Sequence, residues 1–63
     1  MRIAVDAMGG DNAPKEIVLG GLKAAAERKD VTIIFYGDED AIKAEIEGST
    51  PENVEIVHAA DKI

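Results

Sequence analysis

The sequence predicts an α/β fold, a Rossmann-like three-layer parallel sheet of which residues 1–63 form the first β-α-β-α-β segment. Three observations predict it. Short apolar runs of strand length recur around Ile3–Ala7, Val31–Tyr36 and Val54–His58, and two longer stretches with apolar residues at helical spacing separate them. The runs end at Asp6 to Asp11, at Gly37-Asp38 and at His58 to Asp61, where turn-forming and polar residues collect. Strands that alternate with helices run parallel through right-handed crossovers, and ligands then bind outside the carboxyl ends of the strands.

In the first strand Ile3, Val5 and Ala7 alternate with Arg2, Ala4 and Asp6, and Gly9-Gly10 bound the run. A helix follows. Pro14 suits its first position, where a missing N–H costs nothing, with Asn12 or Ala13 as the cap, and Glu16 complements the dipole. From Lys15 to about Lys29, Ile17, Val18, Leu22, Ala25 and Ala26 gather on one side while Lys23, Glu27 and Arg28 face water, and Arg28 and Lys29 close the helix. Gly20-Gly21 inside this helix costs about 1 kcal/mol per glycine relative to alanine, so close packing on a strand or a partner helix is expected to recover it.

Val31 to Tyr36 is almost continuously apolar and β-branched, as in a strand covered on both faces. Asp38 caps a second helix that opens with Glu39 and Asp40, buries Ala41, Ile42 and Ile46, and stops at Gly48. Thr50-Pro51-Glu52-Asn53 makes a turn or a single helical turn, and Val54–His58 is the third strand. Two strand orders satisfy this pattern. Order 3-2-1 puts both helices on one face and leaves the other bare; order 2-1-3 puts one helix on each.

A chain of 63 residues with net charge −6 makes at most one small domain. With no cysteine to staple it, its burial barely balances its ordering entropy, so it reads as the amino-terminal part, residues 1–63, of a single longer α/β domain. The acidic balance and only two aromatic residues, Phe35 and Tyr36, argue against nucleic acid. No apolar run suits a signal peptide or a membrane span, so the expected location is cytoplasmic. One histidine with scattered carboxylates gives no metal-ligand spacing, and no cofactor is implied.

The most informative stretch is the turn Asp6-Ala7-Met8-Gly9-Gly10-Asp11-Asn12-Ala13-Pro14. Gly9 and Gly10 can take φ > 0 and admit a ligand close to the backbone, and the N–H groups opening the next helix favour an anion. The turn is neither G-x-G-x-x-G nor G-x-x-x-x-G-K-[ST], so dinucleotide and nucleoside triphosphate assignments fail. By spacing alone it fits a tight connection and a ligand site equally.

The run from Met1 to Pro14 resembles the amino-terminal signature of the bacterial phosphate acyltransferases of phospholipid synthesis. The likeness continues more loosely through Val31–Asp38 and Val54–Ala60, and the family's enzyme is several times longer than this chain. The resemblance implies transfer of an acyl group from acyl-acyl carrier protein to inorganic phosphate, giving acyl phosphate. It implies these two partners, a homodimer, and peripheral association with the membrane surface. It tips the turn to a ligand site, with Met8, Gly9, Gly10, Asp11 and Asn12 as the phosphate or acyl-phosphate contacts.

Asp11 is the first candidate catalytic residue because it lies within the distinctive turn. Asp6 ends the strand and is expected to tie the loop down. His58, at a strand end, is the second candidate, with a hydrogen-bonded structural histidine as the plainer reading, and Asp61 is weaker. Two other classes of function fit the same pattern: a non-enzymatic anion-binding or regulatory α/β module, and a nucleotide-dependent enzyme with an atypical glycine-rich loop.

Overall fold

The computed structural model describes residues 1–59; Asp61 lies outside them. Five elements follow in order: β1 (Arg2–Asp6), α1 (Lys15–Glu27), β2 (Thr32–Gly37), α2 (Glu39–Ala44) and β3 (Val54–His58). The strands form one parallel sheet in the order β1-β2-β3. The alternative with β1 in the centre is excluded. The physical reason lies in β2, whose Ile33, Ile34 and Phe35 are all buried, whereas β1 and β3 carry Arg2 and Glu55 and suit the edges.

Register assigns the faces. Ile3 and Val5 stand opposite Ile33 and Phe35, which stand opposite Val54 and Ile56. This side meets both helices: Val18 and Ala25 of α1 and Ile42 of α2 join Ile33, Phe35 and Val54 in one core. Phe35, Ile42 and Val18 are its largest fully buried side chains, each contributing about 1.5–3 kcal/mol by leaving water. On the other side, Ala4, Ile34, Tyr36 and Val57 have no helix over them among the described residues. Arg2, opposite Thr32, and Glu55, opposite Ile34, span β2 there through two hydrogen bonds of 2.8 and 3.0 Å.

At Gly21 the backbone of α1 comes close to the sheet. A Cβ at Gly21 would lie 2.4 Å from Phe35 Cζ, whereas one at Gly20 would meet nothing within 4 Å. Only one glycine of the pair therefore serves helix–strand packing. Ala26 is exposed rather than on the apolar side, and α1 ends at Glu27, with Arg28 as the cap residue bonded through its N–H to Ala24 O. Arg28 turns its guanidinium to Asp30 instead of closing the helix end.

Pro14 is the cap residue of α1 rather than its first helical residue, and its peptide bond with Ala13 is cis. Asn12 and Ala13 do not cap. Asn12 contributes only its backbone carbonyl, to Glu16 N at 3.3 Å. Asp38 does cap α2, its Oδ1 accepting from Asp40 N and Ala41 N. That helix stops at Ala44, before Ile46 and Gly48, because the N–H groups of Glu45 and Ile46 bond three residues back, in a tightened last turn.

Asn53 joins three elements at the amino ends of the strands. Its Nδ2 donates to Ala25 O at 2.8 Å, Val31 O at 3.0 Å and Arg28 O at 3.3 Å. It satisfies carbonyls at the end of α1 and the approach to β2 just before β3 begins.

Candidate functional site

The sequence Asp6-Ala7-Met8-Gly9-Gly10 builds its loop from the end of β1 outward. Ala7 is fully buried, and its N–H reaches Tyr36 O at 2.9 Å, extending the ladder one residue past the strand. Asp6 then folds its side chain over the turn, Oδ1 accepting the Met8 N–H at 3.0 Å. This is the Asx-type tie expected of a strand-end aspartate. Gly9 N also approaches Asp6 O, at a long 3.5 Å.

Only Gly10 of the pair uses positive φ, at +96°, and the space where its side chain would stand is open to 4 Å. Gly9 does not have positive φ, and a Cβ there would make only ordinary contact with the Asp6 carboxylate. The expectation that both glycines can serve the turn conformation therefore narrows to Gly10. Asp11 and Asn12 are exposed in the following turn, and Met8 is half-buried.

The start of α1 points the same way. Pro14 makes no side-chain cap hydrogen bond, and among the described residues no side chain bonds the leading N–H groups of this helix of 13 residues. Lys15 begins the helix and Glu16 follows in the first turn. The segment carries both signs of charge there, and its capacity for an anion rests on backbone N–H groups and the helix dipole.

His58 is placed differently. It ends β3 opposite Gly37 of β2, and its Nδ1 accepts the Glu39 N–H at the start of α2, at 3.2 Å. Asp11 lies in the turn beyond β1 while His58 ends β3, and β2 runs between these two strands. No hydrogen bond joins them. The fold thus brings Met8, Gly9, Gly10, Asp11 and Asn12 into one loop and gives His58 a partner on another element.

The Lys43 ammonium at 2.9 Å, with a smaller contribution from His58, holds the Glu39 carboxyl below its usual range. Gly37, expected only as the end of a strand, lies against Met8 of the turn, where a Cβ would stand 2.6 Å from Met8 Cγ. The available signal was its place in the parallel ladder, one residue past the Asp6–Tyr36 pair and therefore beside the root of the glycine turn.

A separate groove of about 480 Å³ runs between α1 and the end of α2, lined by Lys15, Leu19, Leu22, Ala44, Glu45 and Glu47. It shares only Lys15 with the surroundings of the turn. Among the described residues no group of three His, Cys, Asp or Glu side chains could hold a metal ion, and no helix is long and apolar enough to cross a membrane.

A family model described as "Fatty acid synthesis protein" matches residues 1–63. The chain belongs to the fatty acid synthesis protein family. Proteins named "Phosphate acyltransferase" are similar to it along its whole length. The one from Brevibacillus brevis is 54% identical over 63 residues, which are 100% of this chain and 19% of that protein. One from Listeria monocytogenes serotype 4b is 56% identical, and one from a Geobacillus species 46% identical, each over 100% of this chain and 18% of its own length. The chain thus spans about a fifth of the relatives it matches. Within the fatty acid synthesis protein family, the glycine turn, the start of α1 and the end of β2 belong to the shared amino-terminal part.

Proposed function

We propose that the turn Met8–Asn12, with the first N–H groups of α1, is the phosphate subsite of a longer phosphate acyltransferase. In that enzyme inorganic phosphate is acylated by acyl-acyl carrier protein. A phosphate oxygen bonds to the thioester carbonyl carbon, a tetrahedral oxyanion forms, and the C–S bond breaks as the carrier thiol takes up a proton. The product is acyl phosphate. The segment would hold phosphate and its transferred form through backbone donors, which need no cationic side chain.

One observation carries the reading: α1 opens at Lys15 without a side-chain cap among the described residues, after the turn 11–14 that follows Gly10, and Gly10, at φ +96°, has open space beside its backbone. Glu16 N already bonds Asn12 O, so an anion would be met by the remaining N–H groups of this helix start and of the turn before it. The names of the relatives support acyl transfer to phosphate as the chemistry. In the same reading the enzyme is a cytoplasmic homodimer that works at the membrane surface, where phospholipid synthesis consumes acyl phosphate. Asp11 is the residue of the turn proposed to act on the reacting groups, by orienting phosphate or accepting its proton.

Gly10→Val in the full-length protein tests the subsite, because a β-branched residue resists positive φ and intrudes on the open space. The expected result is a phosphate KM raised about tenfold or more, with the KM for acyl-acyl carrier protein changed far less. A folded Gly10→Val protein with unchanged phosphate kinetics would remove the turn from the site.

A further inference from the structure

We infer that Gly37 is a positioning residue for the glycine turn: lacking a side chain, it forms the seat on which Met8 rests, and Met8 thereby fixes where Gly9 and Gly10 present their N–H groups. The inference rests on reading the turn as the phosphate subsite.

The geometry is specific. A Cβ at Gly37 would lie 2.6 Å from Met8 Cγ, 3.0 Å from Met8 Sδ and 3.5 Å from Ile42 Cδ1. The Met8 side chain therefore fills the place a β2 side chain would occupy. Two other restraints act near it, Ala7 N to Tyr36 O at 2.9 Å and Met8 N to Asp6 Oδ1 at 3.0 Å. Both hold the backbone at the root of the turn. The side-chain contact adds a lateral tie from residue 8 to the end of β2, two residues before Gly10.

The seat itself is firm. Gly37 O accepts the Ala59 N–H at 2.9 Å, Gly37 is buried, and Ile42 beside it is fully buried in the core. Methionine suits such a seat, because its unbranched thioether follows an irregular surface where a branched side chain would not. Donors that must converge on one anion tolerate little displacement, and a shift of about 1 Å can cost about 10²-fold.

Steady-state phosphate kinetics on the full-length enzyme test the inference. Met8→Ala empties the seat and is expected to raise the phosphate KM about tenfold, while Met8→Leu, of similar volume, refills much of it and is expected to raise the KM less than Met8→Ala does. Gly37→Ala expels Met8 from the opposite side and, at φ +157°, also strains the backbone, so it is expected to cost at least as much as Met8→Ala. The double variant should be no worse than Gly37→Ala alone, because both changes break one contact. Additive losses, or a folded Met8→Ala with wild-type phosphate KM while Gly10→Val raises it, would overturn the role of Gly37. Loss of effect in Gly10→Val as well would instead overturn the phosphate subsite. If Gly37→Ala does not fold, the comparison of Met8→Ala with Met8→Leu decides.

Discussion

The ring of His58 accepts the backbone N–H of Glu39 through Nδ1 at 3.2 Å, tying the end of β3 to the first residue of α2. A histidine that accepts at Nδ1 carries its remaining proton on Nε2, so this contact selects a tautomer. It also gives His58 a structural task at the carboxyl edge of the sheet. The expected consequence is that His58→Gln, whose amide oxygen can still accept, lowers kcat of the full-length enzyme less than about tenfold. Nitrogen NMR of the ring should report the Nε2–H form. A nearly inactive His58→Gln with intact folding would make His58 the base instead.

Asp11 lies within the glycine turn and, among the described residues, has no tie of the kind that occupies Asp6. Asp11→Asn is expected to lower kcat by about 10² or more while keeping the loop, since the amide preserves shape but neither charge nor basicity. Rates at saturating phosphate separate this from weaker binding. A variant within twofold or so of wild type would leave Asp11 a bystander.

The two glycines of α1 should respond in opposite senses. Gly20→Ala meets no neighbour within 4 Å and gains helix propensity, so stability should rise by about 0.5–1 kcal/mol. Gly21→Ala places a methyl 2.4 Å from Phe35 Cζ, in a ring that is fully buried, and a net loss of about 1–2 kcal/mol is expected. Urea midpoints of the two variants compare them directly. A stabilising Gly21→Ala would contradict the close approach of α1 to β2.

Asn53 donates to three carbonyls from one nitrogen, and removal of the amide leaves part-buried acceptors without it. Asn53→Ala should cost about 1–3 kcal/mol in chemical denaturation. Asn53→Asp should cost more, because its carboxylate would face the same carbonyl oxygens with no proton to share. Equal stability of Asn53→Asp and wild type would show that the three contacts carry no weight.

The acid limb of stability follows from exposed ion pairs. The Arg2 guanidinium hydrogen-bonds Glu55 and holds its carboxyl below the usual 4.5, and Arg28 and Lys43 act likewise on Asp30 and Glu39. A folded value below the unfolded one gives stability that is present above the unfolded value and is lost as pH falls through the folded one. The loss is therefore expected below about pH 4.5, and to be small and weakened by salt because these side chains are exposed. Denaturation midpoints of wild type and Glu55→Gln should converge as pH falls through this range. A difference unchanged down to about pH 2 would exclude the Arg2–Glu55 contribution.

Much of the fold was legible because its signals are local. Continuous β-branched residues in Val31–Tyr36, the Asp38 cap and the Gly9-Gly10 break each act within a few residues, so the element order and the position of the turn could be read directly. The helix ends were less legible. Pro14 as cap residue, the exposure of Ala26 and the stop at Ala44 depend on which neighbours compete for N–H groups and apolar surface.

By itself the sequence determined a parallel α/β segment with a glycine turn at the end of its first strand, because alternation, caps and turn residues are properties of the chain alone. The tertiary structure decided the order β1-β2-β3, the gathering of both helices on one face, the attachment of His58 to Glu39, and the seating of Met8 on Gly37. These are contacts between residues 19 to 29 positions apart or between whole elements. Distance along the chain carries no record of them; they exist only once packing has chosen which surfaces meet.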